Sequence, residues 1–154
     1  MSKNFERVSQ VQEVEEIMIY TSYFAKVRNL PENIVPIAVC AIVPQWWKGL
    51  SYKRIAPPKS LVLSYKQNLD KERYQQLYTK QVLDKIAPKI VLKELFKLLP
   101  RDFQNKLNSY DWWCSSQYHI LLLCYEKPKD FCHRHLFAEW MTESGYEIRE
   151  WKYE

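Results

Sequence analysis

Glycine is nearly missing from this sequence: Gly49 and Gly145 are the only two in 154 residues. Walker-type and dinucleotide-type phosphate loops need several positions without a Cβ, so both are excluded. P-loop nucleotide hydrolases and standard nicotinamide-dependent enzymes go with them. Long apolar runs are missing too, and none approaches the ~20 residues that a membrane-spanning helix requires. The opening "MSKNFERVSQVQEVEE" is polar and charged, unlike a secretory signal. The four cysteines, Cys40, Cys114, Cys124 and Cys132, include no C-x-x-C pair and suggest no disulfide framework. Free thiols in a reducing cytoplasm are therefore expected. Clustered positive charge is also absent, since the net charge of +5 comes from lysines spread along the chain. Such a surface is compatible with an anionic partner but does not demand nucleic acid.

Aromatic rings, by contrast, are abundant, with six Trp and eleven Tyr. They fill cores, and they also line pockets for flat ligands such as bases. The length suits one domain with one core. Residues 1–16 are expected to be a flexible N-terminal segment, and residues 17–154 a single α/β domain.

"EIMIYTSYF" (16–24) and "VPIAVCAIV" (35–43) are nearly continuous apolar runs, as in strands covered on both faces. Residues 44–64 carry three prolines and turn signals, and read as a long aromatic-lined loop with a short helix. Asp70 is the expected N-cap of a helix with Tyr74, Leu77, Tyr78 and Val82 at helical spacing, ended by Pro88. A second helix spans 89–100 and closes at Pro100, while 101–117 shows no clear period. "YHILLLCYE" (118–126) is the strongest strand. Asp130 is expected to cap the following helix, with Leu136, Phe137, Trp140 and Met141 as its apolar stripe and Gly145 at C′. "YEIREWKYE" alternates like an edge strand. This order predicts an α/β fold, a three-layer domain with a mainly parallel sheet flanked by helices on both faces. Ligands of such sheets bind beyond the carboxyl ends of the strands, here Tyr20–Ser22, Pro44–Lys48 and Cys124–Arg134.

The densest chemistry is "LLLCYEKPKDFCHRHLFAEW", residues 121–140. With Asp130 as N-cap, Cys132, His133 and Arg134 fall in the first helical turn, where free N–H groups and the helix dipole favour anions. Arg134 adds a planar fork suited to phosphate or carboxylate. The same field would lower the pKa of Cys132 and make it nucleophilic. Glu126 is the candidate general acid or base, or a pin for Arg134 or His133. The plainer alternative is a buried helix-start cysteine and a structural Glu126–Arg134 ion pair. Cys124 reads as core. Cys124, Cys132, His133 and His135 are suitable zinc ligands, but they lack the paired spacing. Neighbouring residues on a helix also project in different directions, so no metal is expected.

Trp46, Trp47 and Lys48 follow a strand end, where they could hold a base and its phosphate or simply plug the sheet's edge. Tyr20, Thr21 and Ser22 offer hydroxyls at the same rim, with Tyr65 and Lys66 as further candidates. Trp112 and Trp113 read as packing residues and His119 as a structural histidine.

At Cys124-x-Glu126 and Cys132-His133-Arg134 the chain closely resembles a prokaryotic and phage family known only as domain of unknown function 488. Its signature is a strand followed by Cys-x-Glu, a short turn, and Cys-His-Arg opening a helix. The resemblance extends through "IYTSYFAKVRNLP", "PIAVCAIVPQWWKG", "RIAPPKSLVLSYKQ" and "ERYQQLYTKQVLDKIAPKIVLKEL", about residues 17–145. Many relatives carry an acidic residue and an arginine after the second strand, where this chain has Cys40, Ala41 and Ile42. The resemblance implies an α/β fold and a polar pocket around the signature, but no particular reaction.

Taken together, the residues point to a small cytoplasmic enzyme acting on a nucleotide or another phosphate-bearing substrate, free or nucleic-acid-linked. Hydrolysis or glycosyl-type transfer is the reaction class to expect. Glu126, Cys132 and His133 would be catalytic, and Arg134, Tyr20, Thr21, Ser22, Trp46, Trp47 and Lys48 would bind substrate, with no cofactor or metal. Two alternatives stay open: a non-catalytic module that binds an anionic nucleotide-like ligand, and a nucleic-acid-binding protein.

Overall fold

The computed structural model describes residues 17–100, 118–126 and 130–152. Its frame is a five-stranded sheet of β1 (Ile19–Tyr23), β2 (Ile34–Ala38), β3 (Leu50–Ser51), β4 (His119–Cys124) and β5 (Ile148–Glu150). The order is β3-β2-β4-β1-β5, and every pairing is parallel. β4 lies at the centre with all six of its residues buried. Apolar contact on both faces is why "HILLLC" shows no polar alternation.

The α-helices among the described residues are α1 (Lys59–Asn68), α2 (Lys71–Gln81), α3 (Pro88–Phe96) and α4 (His133–Glu143). Asp70 caps α2 as expected, its Oδ1 accepting the Arg73 N–H at 3.1 Å. Pro88 does not end α2, which stops at Gln81 before a 3-10 turn at Leu83–Lys85. It opens α3 instead, where its missing N–H is no loss and its fixed φ suits the first turn. The short helix expected within 44–64 is the beginning of α1, which runs on to Asn68. α4 closes in a Schellman motif. The Tyr146 N–H reaches the Met141 carbonyl at 2.9 Å, the Gly145 N–H reaches that of Thr142 at 3.0 Å, and Gly145 sits at φ +93.

All four described α-helices feed one cluster. Leu61, Tyr78, Leu95, Phe137 and Met141 pack on Ile37, Ile120 and Leu122 from one face of the sheet. The Tyr78 hydroxyl stays satisfied inside this cluster by donating to the Ile55 carbonyl at 2.6 Å. The opposite face buries Phe24, Ala38, Leu121, Leu123 and Trp151, with Tyr20, Val43 and Trp47 packed against them. Among the described residues it is covered by the 3-10 turn Phe24–Lys26 and the loop after β2, not by an α-helix.

Strand order explains this asymmetry. The connections β1→β2 and β2→β3 move toward one edge over the second face, whereas β4→β5 moves toward the other edge over the helical face. The described part of β3→β4 also crosses the helical face. All of them therefore turn with one hand, as the chirality of parallel crossovers requires. The result is the predicted α/β domain with a parallel sheet between two covering layers. Among the described residues, however, the α-helices lie on one face rather than both, and a 3-10 turn and a loop form the other layer. β4 has on each side a neighbour whose chain leaves over the opposite face, so crevices of the fold flank its carboxyl end. No helix among the described residues is long and apolar enough to cross a membrane.

Candidate functional site at the carboxyl end of β4

α4 begins later than the sequence suggests. Cys132, not Asp130, occupies its N-cap, in extended conformation at φ −154 and ψ 145. Its Sγ turns back toward the next side chain and lies 3.7 Å from His133 Nδ1. His133 Nε2 lies 2.7 Å from the Val39 carbonyl at the end of β2. A carbonyl can only accept, so Nε2 carries the ring proton and Nδ1 faces Cys132 with a lone pair. Burial holds His133 near a pKa of about 4, against a smaller upward pull from the Val39 carbonyl and Glu126, so the ring is neutral.

Arg134 is fully buried. Its Nε and Nη2 engage the two oxygens of Glu150 at 3.3 and 3.2 Å, and Nη1 donates to Cys124 Sγ at 2.9 Å and to the Glu126 carbonyl. Thr21 Oγ1 completes the arrangement by donating to Glu150 Oε1 at 2.9 Å. The anion on Arg134 is thus the chain's own Glu150, and the guanidinium ties the ends of β1, β4 and β5 to the start of α4. Glu150 escaped the sequence reading, although a signal exists. It shares a strand face with Ile148, which is buried in the helical cluster, and a carboxylate on an inward face needs a partner.

Cys124, Cys132 and His133 are all buried, and their ligating atoms lie within 4.8 Å of one another. Burial, followed by the neighbouring Cys124 and then Glu126, pushes the Cys132 thiol far above its ordinary pKa, with only partial relief from the Arg134 main-chain N–H. This reverses the depressed pKa expected from the helix dipole, because desolvation of a sealed sulfur outweighs a partial charge at the helix end. Glu126 is half-buried, and its charge acts on Cys40, Tyr74, Tyr125, Cys132 and His133. Among the described residues its carboxylate makes no ion pair with Arg134, which takes only its carbonyl. Tyr74 also belongs to this neighbourhood, and nothing in the sequence separates it from the other core tyrosines of α2.

The remaining candidates divide between the two faces. Successive strand residues alternate, so Thr21 joins Arg134 while Tyr20 and Ser22 face the second layer. Tyr20 packs edge-on against Trp151 at 5.0 Å, and the buried Ser22 Oγ has no hydrogen-bond partner among the described residues. Trp47 is the structural member of the tryptophan pair, donating from Nε1 to the Leu50 carbonyl at 3.1 Å. Trp46 is 58% exposed and Tyr125 50% exposed, and both pack edge-on against Phe24. Lys48, which follows the tryptophan pair in sequence, is exposed. Tyr65 packs edge-on against Tyr74 and tilted against Phe131, and Lys66 is exposed. His119 is structural, its Nδ1 accepting the Met18 N–H at 3.0 Å. Trp112, Trp113 and Cys114 lie outside the described residues. The two described surface grooves, of about 460 and 740 Å³, are lined by other residues, chiefly around Lys53, Arg54 and Lys85 and along α2.

No protein-family profile matches the chain, and comparison with curated proteins and with solved structures finds no match. The resemblance to the domain of unknown function 488 family therefore rests on the quoted residues alone.

Proposed function

We propose that the chain is a small enzyme acting on a nucleotide or another phosphate-bearing substrate with a flat ring, bound where β4 ends. The observation that carries this reading is Glu126, a half-buried carboxylate just past the end of β4 whose main-chain carbonyl accepts from the buried Arg134 Nη1. In this reading Glu126 moves the proton in hydrolysis or glycosyl-type transfer. Trp46 and Tyr125 stack on the ring, Lys48 pairs with the phosphate, and Arg134 serves as a positioning residue. His133, neutral and oriented by the Val39 carbonyl, and the sealed Cys132 form the wall behind Glu126.

The test is turnover of a nucleotide panel by the wild type and by Glu126→Gln, with binding followed by tryptophan fluorescence. The expected result is product from the wild type and a loss of ~10²–10⁴-fold in Glu126→Gln, with binding retained. A second reading, a module that binds without turnover, is favoured by the closure of Cys132 and His133, each 4% exposed. Binding without product in either protein would establish the module and refute the enzyme.

A further inference from the structure

The structure assigns Cys124, Cys132 and His133 to a site for a borderline or soft divalent cation, Zn²⁺ in the first instance. The donor atoms, two sulfurs and an imidazole nitrogen, come from the end of β4 and the start of α4 and lie within 4.8 Å of one another. In a tetrahedral zinc site, sulfur and nitrogen donors at ~2.3 and ~2.0 Å from the ion stand roughly 3.5–3.8 Å apart. The Cys132 Sγ–His133 Nδ1 separation of 3.7 Å already falls there.

The surroundings of the three donors are those of a ligand set. His133 offers Nδ1 because its other nitrogen is anchored on the Val39 carbonyl at 2.7 Å, the outer-shell bond that orients a ligating imidazole. Cys124 Sγ already accepts from Arg134 Nη1 at 2.9 Å, which stabilises negative charge on that sulfur. Arg134 is itself neutralised by Glu150, so the cation and the two thiolates form a separate balanced unit. Uptake replaces two thiol protons by one dication, leaves the net charge of the buried cluster unchanged and involves no redox change.

In the sequence this cluster lacks paired ligand spacing, and adjacent residues of a helix would diverge. Cys132 lies outside the helix in extended conformation, so its sulfur and the His133 ring converge instead. The assignment stands apart from the nucleotide reading, since ion uptake is measured without substrate.

The experiment uses the full chain, purified under reducing conditions, stripped of metal and exposed to Zn²⁺ or Co²⁺. The expected result is one tightly held equivalent by elemental analysis and thiolate-to-cobalt charge transfer with tetrahedral d–d bands. Cys124→Ser and Cys132→Ser, checked for folding by circular dichroism, should lose the ion, while Cys40→Ser keeps it. In the wild type, bound Zn²⁺ should protect Cys124 and Cys132 from alkylation at least tenfold and leave Cys40 unchanged. The alkylation arm needs no variant to fold. Sub-stoichiometric uptake, a cobalt spectrum without thiolate charge transfer, or unprotected Cys124 and Cys132 would each overturn the site.

Discussion

Replacing Glu150 by alanine removes the only carboxylate that the described structure pairs with the buried Arg134. Two charge-assisted bonds at 3.3 and 3.2 Å are lost, and Thr21 loses its acceptor at 2.9 Å. The guanidinium cannot shed its proton, and with no exposed surface it cannot rehydrate in place. Its bonds to Cys124 and to the Glu126 carbonyl persist, but a thiol and a carbonyl do not neutralise a full charge. Breaking one side of a buried ion pair costs ~3–5 kcal/mol. The Glu150 side chain is 21% exposed, so part of its charge was already screened and the lower end, about 3 kcal/mol, applies. At ~2–4 °C per kcal/mol for a domain of this size, Tm should fall by roughly 6–12 °C.

The double variant Arg134→Met/Glu150→Leu removes both charges together and should end within ~1 kcal/mol of the wild type. Urea unfolding followed by tryptophan fluorescence and circular dichroism measures Glu150→Ala, Glu150→Leu, Arg134→Met and the double variant, the last three closing the cycle with the wild type. A Glu150→Ala cost under ~1 kcal/mol, or a double variant that simply adds the two single losses, would refute the view of Arg134 as a sealed strut.

Two further expectations concern other parts of the molecule. Burial lifts the Cys40 thiol from 9.0 to about 11 and raises the Tyr52 phenol as well. The native state then keeps protons that the unfolded chain has already released, so stability should fall as pH rises from about 9 to about 11. Equal urea midpoints at about pH 8 and about pH 10 would contradict this. Asp70→Ala removes the acceptor at the start of α2 and should cost about 1 kcal/mol, read as a shifted midpoint with an unchanged slope.

The parts of the fold legible in the sequence are those written in local pattern. Continuous apolar runs marked β1, β2 and β4, and the Asp70 cap and the Gly145 terminus marked helix ends. Pro88 was misplaced because a proline that follows one helix can equally open the next. Asp130 was expected to cap α4 because its side chain is the better acceptor, yet the extended backbone of Cys132 sets the boundary. The grouping at residues 124–134 was visible as residue types, whereas their partners were not. Val39 and Glu150 lie 94 and 16 positions from the residues that bind them, and Thr21 lies 129 positions from Glu150.

By itself, then, the sequence determined an α/β domain with a parallel sheet and a cluster of thiols, imidazoles and charge at one strand end, because periodicity and turn chemistry act over a few residues. Which strands became neighbours was decided only by the tertiary structure, through crossovers of a single hand. That choice set Glu150 against Arg134 and turned a presumed anion clamp into an internal strut. It also brought Cys124, Cys132 and His133 within reach of one ion, since contacts between distant segments depend on the path of the whole chain.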